Sequence, residues 1–151
     1  MASRQSAFNV GLYVDDNITW DDHVTFICAK SVKRLHFLKL LKRAAMSTDD
    51  LLYYYKSVIR PVTEYSCFVW HSSLTKEQAN RLENIQRRAV RLIFGNNNQD
   101  MNSAMSSLTS LADRREHLAK HFFAGLLSPA NCLHHLLPPK RDLAERYFEI
   151  A

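Results

Sequence analysis

The sequence predicts a mostly α protein, a helical bundle of about five helices with one short N-terminal strand. Three observations predict it. Only 3 Gly and 4 Pro interrupt 151 residues, so long helices are permitted. Apolar residues recur at i, i+3, i+4 and i+7 over much of the chain, the pattern of helices with one buried face. Residues 8–14 alone alternate instead, with Phe8, Val10, Leu12 and Val14 against Asn9, Gly11 and Tyr13, as a half-buried strand does.

Each element follows from its own residues. Asp15-Asp16-Asn17 turns the chain after the strand. A helix is expected over residues 20–45, capped by Thr19 with Asp22 three residues on. Its stripe is Val24, Ile27, Cys28, Ser31, Leu35 and Leu38. Ser47-Thr48-Asp49-Asp50 opens a further helix through Leu51, Leu52, Tyr55, Val58 and Ile59, and Pro61 should kink or split it. The apolar residues 62–70 are expected to resume the helix and to be the most buried segment. Thr75-Lys76-Glu77-Gln78 opens the clearest helix and Gly95 closes it, with Leu82, Ile85, Ala89, Leu92 and Ile93 as its core stripe. Beyond the polar break at residues 95–98, a short helix is expected over 102–107 and a longer one over 111–127, where Leu118, Phe122 and Leu126 share a face. Pro129, Pro138 and Pro139 punctuate the rest, and a weak helical signal starts at Arg141. The expected organisation is a disordered tail over residues 1–7, a helical domain over 8–138 and a C-terminal tail over 139–151.

At 151 residues the chain is long enough for one real core, and 46% apolar with 23% charged residues is ordinary for a globular protein. As a whole the chain is therefore not a disordered tail, a collagen-like fibre or a disulfide-rich miniprotein. No run of about 18 uncharged apolar residues could span a bilayer. The first ten residues lack a basic stretch followed by an apolar one, so no secretory leader is expected. Cys28, Cys67 and Cys132 are an odd count without a CxxC pair, which favours a reducing compartment and buried thiols. The expected setting is intracellular, cytoplasmic or nuclear.

The net charge of +5 is mild, but its distribution is not. Residues 26–43 hold six bases and no acid: Lys30, Lys33, Arg34, Lys39, Lys42 and Arg43. Residues 76–91 hold five bases, including Arg87, Arg88 and Arg91, and two acids. Clustered bases on helices are the footprint of a phosphate-binding surface, and also that of a solvated helix face. Phe26 and Phe37 lie among the first cluster, where rings beside cations can stack bases or can simply pack on a neighbouring helix.

No residues assemble an autonomous enzyme. Tyr13-Val14-Asp15-Asp16 spells Y-V-D-D, yet metal-assisted nucleotidyl transfer needs a third acid on an adjacent strand and a second strand after the turn, whereas a helix follows here. His117 and His121 have helical ligand spacing, but the residues between them are Leu118, Ala119 and Lys120, and no acid shares their face. No metal or cofactor is expected. Three glycines cannot build a P-loop or a dinucleotide fingerprint, and no GxSxG is present. Cys67, amid Tyr65, Phe68 and Trp70, reads as a buried apolar thiol.

A series of motifs resembles a known family. Val10-Gly11-Leu12, Ile18-Thr19-Trp20 and His23-Val24 come first, then Ser31-Val32-Lys33-Arg34-Leu35-His36-Phe37-Leu38. Tyr55-Lys56-Ser57-Val58-Ile59-Arg60-Pro61-Val62, Glu64-Tyr65 and Val69-Trp70-His71 follow. Leu82-Glu83-Asn84-Ile85-Gln86-Arg87-Arg88-Ala89 and Leu111-Ala112-Asp113-Arg114-Arg115 complete it. In this order, over about residues 8–138, they resemble the region just after the palm in reverse transcriptases of non-LTR, LINE-type retrotransposons of the jockey and CR1 kind. The resemblance places Y-V-D-D after the palm and outside the catalytic hairpin. It implies a non-catalytic thumb and linker that grips template and primer through Lys30, Lys33, Arg34, Arg87, Arg88 and Arg91. It further implies RNA or an RNA–DNA duplex as partner and an absent palm as neighbour, with no membrane contact. The alternative is a ligand-free structural or interaction relic. A second resemblance, over about residues 29–47, is to the N-terminal domain of AlkB homologues, although the residues support neither dioxygenase nor methyltransferase activity.

Overall fold

The structure, a computed structural model, describes residues 6–9, 11–95 and 108–138. It is mostly α-helical, as the sequence predicts. The expected helices over 102–107 and beyond Arg141 lie outside the described residues. Two compact units divide at Ala119, inside the last long helix.

The expected single strand is a hairpin. β1 (Ser6–Asn9) pairs antiparallel with β2 (Leu12–Asp15), with Phe8 opposite Tyr13 and Asn9 opposite Leu12. Alternation continues unbroken through the turn, so it cannot mark the reversal. Gly11 does, with φ at 81°, a conformation that L side chains avoid. β1 begins at Ser6, inside the stretch expected to be a tail.

After β2, Asp15 holds the connecting loop by accepting hydrogen bonds from the Thr19 amide at 2.8 Å and the Thr19 hydroxyl. That use of the hydroxyl corrects the expected cap. α1 (Asp21–Arg43) starts instead from Trp20 in the left-handed region, φ 61°, with no side-chain cap. Asp21 and Asp22 complement the helix dipole, and the Gln78 side-chain amide donates to the Thr19 carbonyl at 2.7 Å and to the Asp21 carboxylate. The predicted stripe is the buried one: Val24, Ile27, Ser31, Leu35 and Leu38 are buried and Cys28 is half-buried, with His23 added.

α2 (Thr48–Tyr54) is capped by Ser47, whose hydroxyl oxygen accepts from the Asp50 amide at 3.2 Å. It widens directly into a π turn, Tyr55–Ile59, and then α3 (Arg60–Glu64). Pro61 explains the widening. It has no amide proton, and its ring crowds the carbonyl four residues earlier, so the backbone opens by one residue per turn ahead of it. Residues 62–70 do not form one helix: Ser66, at φ 49°, separates α3 from α4 (Cys67–Trp70). Burial there alternates. Val62, Thr63, Cys67 and Trp70 are buried, whereas Tyr65 and Val69 are exposed. A 3-10 turn, His71–Ser73, leads to α5 (Lys76–Phe94).

α5 has the predicted capping box, with the Gln78 amide donating to Thr75 at 3.2 Å and the Thr75 amide to the Gln78 side chain at 2.9 Å. It runs parallel to α1. Arg81 donates to Thr25 at 2.9 Å near both starts, and Lys42 donates to the Ile93 carbonyl at 2.9 Å near both ends. Two apolar layers fill the space between them. Leu35, Leu38, Leu51, Tyr55, Ile59, Ile85, Ala89 and Ile93 make one, and Trp20, Val24, Ile27, Val62, Cys67, Trp70 and Leu82 the other.

α6 (Leu111–Leu126) is the last long helix. In the second unit, the Asn131 side-chain amide donates to the Gly125 carbonyl at 3.1 Å and closes the turn that follows. His134 Nδ1 lies 2.8 Å from the Leu126 carbonyl, at the start of a 3-10 turn, His134–Leu136. Of the predicted α6 face, Leu126 is buried and Phe122 half-buried, whereas Leu118 is exposed.

Candidate nucleic-acid interface

The six predicted basic residues fall into two sets. Arg87, Arg88 and Arg91 project from α5 within about 100° of arc, opposite its buried stripe. All three are exposed, and Arg87 donates to Asn84 at 3.2 Å. The helix that presents them is fixed at its start by the capping box and along its length by the core, so the three guanidinium groups share a rigid base.

Lys30, Lys33 and Arg34 belong to another flank. Thr25, which Arg81 of α5 reaches, and Arg34 are nine residues apart, about half a turn around α1. Arg34 therefore faces away from α5. It donates to the Val58 carbonyl in the π turn, where the widened backbone leaves that oxygen accessible. Lys33 is exposed. The structure thus joins each triplet to itself and does not merge them into one patch.

Lys30 and Arg34 line a cavity of about 380 Å³, open to solvent, between α1, α3 and the hairpin turn. Ile27, Pro61 and Val62 give it an apolar floor, and Phe26 and Tyr65 contribute rings. Phe26 packs on Tyr13 at 5.0 Å between ring centroids, and the Lys30 ammonium stands 5.6 Å from the Phe26 ring. The sequence raised Phe26 as a stacking or packing ring. It packs on Tyr13 of β2, and Phe37 is 57% exposed. The Tyr65 ring comes close over Gly11, where an added Cβ would meet it at 3.0 Å.

His23 completes the cavity and was not foreseen as part of it. It is 1% exposed, set edge-on to Trp20 and Trp70 at centroid distances of 5.9 and 5.4 Å. Burial lowers its pKa to about 4, so the ring is neutral near pH 7. Nδ1 accepts from the Tyr13 amide at 3.4 Å, which places the ring proton on Nε2, a buried atom with no partner in the structure. The only sequence signal was position: His23 falls one residue before the predicted stripe.

The motif residues of the last two helices act mainly as ties. Glu83 accepts from the Leu111 and Ala112 amides at 3.3 and 2.7 Å and so caps α6. Gln86 accepts from the Tyr55 hydroxyl at 2.6 Å and donates to the Thr109 carbonyl at 3.2 Å. Burial pushes the Tyr55 phenol above its ordinary range. Arg114 grips Glu64 with two bonds of 2.6 and 3.2 Å. Arg115 is fully buried 5.8 Å from the Trp70 ring, and its ion pair with Glu83 spans 3.9 Å. Burial draws its pKa below the usual guanidinium range, with the Glu83 charge opposing.

Asp15 of Y-V-D-D is buried and bonded to Thr19, and β2 leads into the loop before α1, not into a second strand. His117 and His121 are both exposed. Among the described residues, no group of three or more His, Cys, Asp and Glu side chains could hold a metal ion. Cys67 is buried, and burial raises its pKa; Cys28 is half-buried and Cys132 exposed, so only one thiol fits the expected burial. Among the described residues no helix is long and apolar enough to cross a membrane. No protein-family model, curated protein or solved structure matches the chain.

Proposed function

We propose that this chain is a non-catalytic helical module that grips the backbone of RNA or an RNA–DNA duplex, a counterpart of the region after the palm in non-LTR retrotransposon reverse transcriptases. The observation that carries the reading is the exposed triplet Arg87, Arg88 and Arg91 on a capped, core-anchored helix. Such cations bind phosphates through charge and carry no base preference. Lys30, Lys33 and Arg34 supply a second basic flank. Polymerisation is no part of the proposal, because Asp15 is engaged in the loop that starts α1. An intracellular setting and a palm domain as neighbour go with this reading.

Binding of the purified chain to a short RNA–DNA duplex, followed by fluorescence anisotropy, tests it. Affinity should fall steeply between about 50 and 200 mM salt. Arg87→Glu with Arg88→Glu should abolish binding. Absence of binding by the parent chain at low salt would overturn the reading and leave a structural or interaction module.

A further inference from the structure

The cavity beside α1 is not used by a helix that merely grips a backbone. Its volume of about 380 Å³ is in the range of small-ligand sites and suits one nucleotide, not a base pair. Rings and cations stand together in it, Phe26 and Tyr65 with Lys30 and Arg34, over the apolar floor of Ile27, Pro61 and Val62. Aromatic faces take bases of any identity, and adjacent cations take the phosphate.

His23 forms the buried end of the cavity wall. It lines the cavity, is 1% exposed, and leaves Nε2 buried without a partner while Nδ1 is engaged by the Tyr13 amide. A buried donor left unsatisfied is costly, so native interiors rarely keep one.

We propose that this cavity receives a single unstacked nucleotide, its base against Phe26 and Tyr65 and its phosphate on Lys30 and Arg34. The shared chemistry is a nucleoside monophosphate group, either free or carried by an unpaired strand. For the strand-borne source the inference rests on the nucleic-acid reading above; for the free source it stands without it.

Amide chemical-shift mapping on the full chain tests the inference, with adenosine monophosphate and a single-stranded oligoadenylate as separate probes. Saturable shifts should cluster at Gly11, His23, Lys30 and Tyr65. Lys30→Glu and Tyr65→Ala, both at exposed side chains and checked for retained helicity by circular dichroism, should each weaken binding about tenfold or more, the scale of a charged hydrogen bond or a stacked base. Lys76→Glu, an exposed cation outside both sets, should leave it unchanged. Shifts from both probes assign either source, and shifts from oligoadenylate alone assign the strand. Shifts absent from the cavity with both probes overturn the inference. If the duplex still binds through Arg87 and Arg88 in that case, the backbone-gripping reading survives alone. If the monophosphate binds in the cavity while no duplex binds, that reading falls and a free-nucleotide site remains.

Discussion

His23 shows how burial turns one side chain into a pH liability. Its pKa is 6.5 unfolded and about 4 folded. Between those values the unfolded chain binds more protons, so stability is full above about pH 6.5 and falls as the pH drops towards 4. The swing from this group is on the order of 3 kcal/mol. Urea midpoints taken at neutral and acid pH should therefore diverge in the parent chain and converge in His23→Gln, which does not titrate there. Equal slopes in both proteins would show that other groups carry the acid sensitivity. Arg115 makes the opposite case, a charge kept buried with Glu83 as its ion-pair partner. Glu83→Gln removes the ion-pair partner of that guanidinium and also weakens the cap of α6, so a loss of about 3 kcal/mol is expected. Arg115→Met removes the charge with the need for it, and combining the two should cost less than their sum. Chemical denaturation of the four proteins measures the coupling, and strict additivity would dissolve the pair. Neither role was legible in the sequence, where Glu83, Arg115 and His23 are single polar letters beside apolar stripes.

At the scale of elements, local chemistry was legible wherever a helix end satisfies itself. The Thr75 cap and its Gln78 partner are both formed as the spacing predicts. Thr75→Ala should cost about 1 kcal/mol. Gln78→Ala should cost more, because the same side chain also ties α5 to Thr19 and Asp21 at the start of α1. Thermal midpoints would order the two, and the reverse order would show that the tie between helices contributes little. The Thr19 cap failed because its hydroxyl was claimed by Asp15, four residues earlier, and Trp20 took a left-handed conformation that no pattern announces. Pro61 was readable as a break, but its resolution as a π turn was not. Whether a helix kinks, ends or widens depends on what its freed carbonyls meet, here the Arg34 guanidinium on Val58. Gly11 was placed inside a strand because alternation has no marker for reversal. At φ 81° with Tyr65 against it, Gly11→Ala should both strain the turn and displace that ring.

At the scale of the whole molecule, the two basic triplets lie on different flanks, and this has a measurable consequence. Each phosphate neutralised on a duplex contributes about −0.9 to the slope of log K against log salt. A rigid duplex seated on Arg87, Arg88 and Arg91 alone should give a slope near −3, whereas engagement of all six cations would give about −5. Anisotropy titrations over a salt series read the slope directly, and the steeper value would mean that one ligand spans both flanks. The sequence by itself determined the helical class, the buried stripes of α1 and α5 and the candidate cations. Periodicity, capping residues and charge are properties of neighbours along the chain, so they survive without any tertiary knowledge. Only the tertiary structure decided that α1 and α5 run parallel, that Tyr65 comes over Gly11, and that Pro61, Val62 and Tyr65 meet His23, Phe26, Lys30 and Arg34 of α1 around one open cavity. Those facts depend on packing between segments tens of residues apart, where burial area and shape choose the partner and the letters alone do not.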